Sequence, residues 1–116
     1  MGKYNSTCKL FKPIAEILTP ADVHPKVEAL LSQGQDHQIV FMEFTEDVLV
    51  PEHSHAAQWE YIFEGTVELV TPDGRHIYRK GDWFYLEAGV KHGALVKKGY
   101  KSMGVFAQKD RYKAKG

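Results

Sequence analysis

A chain of 116 residues with 43% hydrophobic content makes one domain with one core. Its 15 basic residues balance its 15 acidic ones, which argues against nucleic acid or an anionic membrane as the main partner. Cys8 is the only cysteine, so no internal disulfide can form. No apolar run approaches the ~18 residues of a membrane span, and the N-terminus lacks the apolar core of a signal peptide. A cytoplasmic protein is expected. Met1-Gly2-Lys3-Tyr4-Asn5-Ser6 fits the loose myristoylation pattern, which is short enough to match by chance.

Residues 1 to 18 scatter Leu10, Phe11, Ile14, Ile17 and Leu18 around Pro13, as expected of an arm packed on the body. Val23, Val27, Leu30 and Leu31 recur at helical spacing, with Pro25 in the first turn and Gly34 past the end. A short helix is therefore expected over residues 22–33. From Gln38 onward strand signals dominate. Ile39-Val40-Phe41-Met42 is followed by residues 47–50, then Pro51, then 58–63 and an alternating 66–71. Pro72-Asp73-Gly74 marks a hairpin, Gly81-Asp82 and Glu87-Ala88-Gly89 mark further turns, and Tyr100 to Phe106 is the last strand. Many short strands with Gly or Pro punctuation predict a β-sandwich or barrel. The expected organisation is an arm and short helix over 1–37, a barrel over 38–107 and a fraying polar tail over 108–116.

Residues 53 to 65 carry the chemistry. His53 and His55 are two apart, and residues two apart on a strand share a face. Gln58 and Glu60 are also two apart, and Glu64-Gly65 supplies a turn. Imidazole nitrogens with amide or carboxylate oxygens are the donors that hold a divalent transition metal. Taken singly, a histidine is usually a surface or satisfied core residue, and His24, His37 and His76 read that way. Trp59, Tyr61 and Phe63 alternate with the inward set. They are expected on the opposite face, against the N-terminal arm or a second subunit. Ile62, Trp83, Phe84, Tyr85, Leu86 and Phe106 are expected in the core.

These residues resemble the motifs of the cupin superfamily. The first motif runs His-x-His, three or four residues, Glu, six residues, Gly; here His53, His55 and Gly65 match it. The second runs Gly, five residues, Pro-x-Gly, two residues, His. Here Gly81, Gly89 and His92 match it, with Glu87 in place of the proline. The resemblance implies an all-β, double-stranded β-helix (jelly-roll) barrel. It also implies that His92 faces His53 and His55 across the lumen. Counting back from Gly65 puts Gln58 at the position of the glutamate ligand; counting forward from His55 puts Glu60 there. The strand into Gly65 is the more rigid ruler, so the expected ligands are His53, His55, Gln58 and His92. Glu60 has three readings: a general base or supporting group near the metal comes first, a ligand second, and the partner of a buried cation is the third. A further departure is Val96, where the family often has Asn.

The set His-x-His…Gln…His is also similar to that of small cupins from pectin breakdown, which open unsaturated uronate sugars to ketoacids. Those carry an Asp shortly before a Phe in the last strand; this chain has Gly104 there, two residues before Phe106. The resemblance implies a divalent transition metal (Zn, Ni, Fe, Mn or Cu) and a small-molecule ligand. It also implies a homodimer. Two functions remain open at this point. One is a metal-dependent enzyme acting on a sugar acid or a keto or enediol compound, of isomerase, lyase or dioxygenase type. The other is a non-catalytic binding or sensor barrel. A third class, a purely structural dimerisation module, would leave the lumen filled by side chains.

Overall fold

The computed structural model describes Tyr4 and residues 9–115. Cys8 and most of the myristoylation pattern lie outside the described residues. Among the described residues eleven strands run in chain order: β1 Thr19–Asp22, β2 Val27–Gln33, β3 Gln38–Phe44, β4 Val48–His53, β5 Gln58–Glu64 and β6 Thr66–Thr71. They continue as β7 Gly74–Arg79, β8 Trp83–Leu86, β9 His92–Val96, β10 Lys101–Phe106 and β11 Lys113–Ala114. They form two antiparallel sheets. One has the order β11-β1-β2-β3-β10-β5-β8 and the other β4-β9-β6-β7. The core lies between the sheets. Val40, Met42, Ile62 and Phe106 of the larger meet Val48, Val67, Leu69 and Val96 of the smaller. The all-β jelly-roll architecture expected from the sequence is the one observed.

The expected helix over 22–33 is not there. This stretch is β1, a tight connection through His24-Pro25, and β2. Val27, Ala29 and Leu31 face the core, as strand alternation requires, yet Leu30 between them is also fully buried. Leu30 pairs across the sheet with Phe41, and the Phe41 ring meets Phe11 of the N-terminal arm at 5.6 Å. A strand covered on both faces reads as a continuous apolar run, and that run imitates helical spacing. Among the described residues the one helical segment is a 3₁₀ turn at Lys12–Ile14. It follows Phe11, which is buried edge-on against Phe41 and Phe63 and covers part of the outer face.

The segment after Gln108 does not fray either. The fully buried Gln38 side chain acts as a surrogate strand. Its Nε2 donates to the Tyr112 carbonyl (2.8 Å) and its Oε1 accepts from the Tyr112 N–H (3.0 Å). β11 then pairs with β1, Ala21 opposite Ala114. A buried amide is satisfied only with both partners present, so Gln38 and the tail hold each other. This fold-back brings Arg111 and Tyr112 to the interior cavity.

Two further differences concern single residues. Trp83 and Tyr85, expected in the core, are 58% and 54% exposed on the outer face of edge strand β8, while Phe84 and Leu86 between them are buried. Gly65, which closes the first motif, has φ +84°, and a Cβ there would stand 2.7 Å from the Tyr100 Cα. Both the left-handed backbone and the close approach exclude any side chain. The turn after β5 is thereby locked against the start of β10.

Candidate metal centre

Three histidines converge at one end of the cavity. His53 ends β4 and pairs with His92, the first residue of β9, after a register shift between Val50 and His53. Such a bulge re-aims a side chain, and Pro51 inside it has no N–H to lose from the ladder. His55 lies beyond the strand, in the connection to β5, so the shared-face argument holds only for His53. The loop holding Gly89 closes over it, with the Gly89 N–H donating to the His55 carbonyl (2.9 Å). The ring centroids are 4.4 Å (His53–His92), 4.7 Å (His55–His92) and 5.2 Å (His53–His55) apart.

The tautomers follow from the hydrogen bonds. Each Nδ1 faces a backbone carbonyl: His53 to Pro51 (2.9 Å), His55 to Ala56 (2.7 Å) and His92 to Val90 (2.9 Å). A carbonyl only accepts, so each Nδ1 carries a proton, and each ring when neutral presents its lone pair at Nε2. One ring nitrogen from each histidine lies within 4.8 Å of the others. Burial adds to this. Desolvation pushes the His55 imidazole down to about 4, with Arg111, His92 and His53 adding smaller like-charge effects. It also pushes His92 down. These rings stay neutral at physiological pH, the state a metal requires.

Gln58 and Glu60 stand inward on β5, as their spacing predicts, and both are buried. Gln58 Nε2 donates to Glu60 Oε1 (2.7 Å). The amide nitrogen is thus spent on Glu60, leaving the amide oxygen free for another partner. Tyr100 donates its hydroxyl to Glu60 Oε2 in a short hydrogen bond. Desolvation raises the Glu60 carboxyl to about 7, against the opposing pull of Tyr100 and Gln58. Burial, with the Glu60 charge beside it, holds the Tyr100 phenol well above its usual range. Glu60 is not among the residues whose donor atoms cluster with the three histidines.

Gly104 is directly opposite Glu60 on β10. A Cβ at 104 would lie 3.5 Å from Glu60 Oε1 and 3.0 Å from the Phe106 ring. The tightest neighbour of a side chain at 104 would be the Phe106 ring, with the Glu60 carboxylate at ordinary contact distance. The sequence reading did not single out Tyr100, whose signal was available: Tyr100, Ser102, Gly104 and Phe106 alternate inward. Arg111 had no local signal. The cavity shared by these groups measures about 100 Å³. At the roughly 30 Å³ that each water occupies in the liquid, it has room for about three waters. The lumen is therefore not filled by side chains.

The fold and this site define the class: the chain has the cupin fold, with three histidines gathered in its lumen. Solved structures share that fold. KdgF from a Halomonas species shares 20% identity at TM-score 0.69, over 80% of this chain and 90% of that one. An RmlC-like cupin from Shewanella frigidimarina shares 19% at TM-score 0.71, over 83% and 88%. Oxalate decarboxylase from Bacillus subtilis, which has Mn(II) centres, shares 20% at TM-score 0.65. That match covers 79% of this chain but only 28% of the decarboxylase. No protein-family model matches the sequence, and no curated protein matches it. Among the described residues no helix is long and apolar enough to cross a membrane.

Proposed function

We propose that the chain is a small metal-dependent enzyme acting on a small oxygenated substrate, a sugar acid or a keto or enediol compound. His53, His55, His92 and the Gln58 amide oxygen hold a divalent transition metal, and Glu60 moves a proton beside it. The observation that carries this reading is the set of three Nε2 lone pairs turned on one point, each tautomer fixed by a backbone carbonyl. Three ring nitrogens drawn within 4.8 Å of one another suit a shared cation. The donor set, three imidazoles and one amide oxygen, suits Zn, Ni, Fe, Mn or Cu. When bound, the metal supplies Lewis acidity, and with no carboxylate among the ligands its charge is less neutralised.

The chain's own residues do the rest. The Glu60 hydrogen bond selects the amide rotamer of Gln58, as partners beyond a metal's direct ligands commonly do. Tyr100 orients the Glu60 carboxylate from the far side. Glu60, standing where Gly104 leaves room, is the proton carrier on this face of the cavity. The reaction class is isomerase, lyase or dioxygenase. The fold likeness to KdgF and to a manganese-containing decarboxylase supports a metal-type site on this scaffold.

Gln58 provides the test. Gln58→Ala removes a direct ligand and is expected to lower metal affinity, and with it occupancy, by at least about tenfold. Gln58→Glu should keep or tighten binding, because a carboxylate adds charge attraction. Metal content by mass spectrometry after dialysis reads both. If Gln58→Ala keeps its metal while Glu60→Gln loses it, Glu60 is the ligand and the roles are exchanged. Ligand-induced stabilisation without metal-dependent turnover would mean a binding barrel instead.

The active form is a homodimer. Trp59 and Tyr61 stack at 6.4 Å on the outer face, and Tyr85 and Trp83 stand opposite them on the edge strand. Phe11 covers Phe63 but not this quartet. A contiguous aromatic patch of this kind marks an interaction surface. Light scattering at micromolar concentration should give twice the chain mass, and Trp83→Glu should give the monomer. A monomeric wild type would refute the dimer.

A further inference from the structure

The C-terminal fold-back carries a cation into the cavity. Arg111 lines it together with His53, His55, His92 and Glu60. Its position is set by its neighbour, whose backbone is clamped on both sides by the Gln38 amide. The guanidinium carbon sits 4.6 Å from the centroid of the Tyr112 ring, which holds the plane of the group. Arg111 Nε is buried and has no hydrogen-bond partner, and among the described residues no carboxylate lies within ion-pair distance of the group. The nearest acidic residue in sequence, Asp110, instead accepts from Gln108 Nε2 (3.2 Å).

A buried, unsatisfied N–H on a permanent cation costs folding free energy. A structural arginine would have been given an acceptor. One that faces a cavity without an acceptor is complementary to something that enters it. The guanidinium fork matches the two oxygens of a carboxylate. A single arginine suits a single negative charge, whereas a phosphate dianion calls for more donors than this cavity shows.

We propose that Arg111 is the recognition residue for a substrate carboxylate, so that the substrate is a small organic acid. Its carboxylate pairs with Arg111 and a second oxygen reaches toward the three histidines. This rests on the metal-dependent reading above for that second contact, but not for the first.

The experiment compares acids with their neutral counterparts: glycolate with ethylene glycol, and D-glucuronate with D-glucose, with inorganic phosphate as a further probe. Affinities are measured by calorimetry or ligand-observed NMR on metal-loaded and on EDTA-treated protein. At least one acid should bind the wild type about tenfold or more tighter than its neutral partner. Arg111→Gln should lower that affinity by a similar factor while keeping its metal content, and Arg111→Lys should recover part of it. The proposal is overturned if neither acid is preferred, if Arg111→Gln binds the acid as the wild type does, or if phosphate binds more tightly than both. A wild type that holds no metal would sink the metal-dependent reading alone. Arg111-dependent acid binding in EDTA-treated protein would still stand.

Discussion

His92→Ala should lower metal affinity by more than about 100-fold, beyond the range seen when partners outside the direct ligands are removed. His92 is one of three imidazole donors and the one brought in from the second motif. Its Nδ1 is fixed by Val90 and its Cα is in register with His53, so no neighbouring side chain replaces it when it is truncated. Two imidazoles and an amide are left. The measurement is metal content after dialysis, together with the melting temperature with and without added metal. A ligand at 100 times its dissociation constant stabilises by about 2.7 kcal/mol. The wild type should show a shift of that order, and the variant should show almost none. Proton competition gives a second readout. At His55, where desolvation holds the pKa near 4, protons compete for the ring nitrogen only as pH falls toward that value. A variant that retains metal would mean that the histidine cluster is not a ligand set.

Glu60→Gln should reduce turnover by about 10²- to 10⁴-fold, the usual contribution of a positioned acid or base, with metal occupancy near wild type. The glutamine is isosteric, and its amide oxygen can still accept from Gln58 Nε2, so the amide rotamer at Gln58 is kept. What is lost is the capacity to take a proton and the oxygen that accepts from Tyr100. The same substitution has a consequence for stability that needs no substrate. In the metal-free protein burial raises the folded-state pKa of Glu60 from 4.5 to about 7. A group raised on folding contributes stability that is fully present below the unfolded value and is lost as pH rises through the folded one. The wild type should therefore lose stability relative to Glu60→Gln as pH rises from about 4.5 past 7, by on the order of 3 kcal/mol. Urea denaturation of both proteins at pH 4.5 and pH 8 measures this. Equal pH dependence in the two would show that Glu60 is not the buried titrating group.

Gln58 and Glu60 show how far the sequence alone reaches. Their two-residue spacing, counted from a glycine that must hold φ +84°, places both on the inward face of β5. The period of a strand is rigid, so local spacing decides direction. The same argument puts Trp59, Tyr61 and Phe63 outside. The strands and turns alone predict a β-sandwich or barrel; the jelly roll is what the resemblance of His53, Gly65, Gly81, Gly89 and His92 to the cupin motifs implies. His55 shows the limit even at short range, since it meets His53 from a loop rather than from the same strand.

Only the tertiary structure decided what depends on a second segment. Val27 to Leu31 has the spacing of a helix but is a strand, in which Leu30 is buried opposite Phe41, itself packed on Phe11. The polar tail is ordered because a distant amide, Gln38, pairs with its backbone. Glu60 is held by Tyr100 because two strands far apart in sequence lie side by side, and Arg111 enters the cavity only because the tail returns to β1. Periodicity reports which way a side chain points along its own strand. It carries no information about what arrives from elsewhere to meet it.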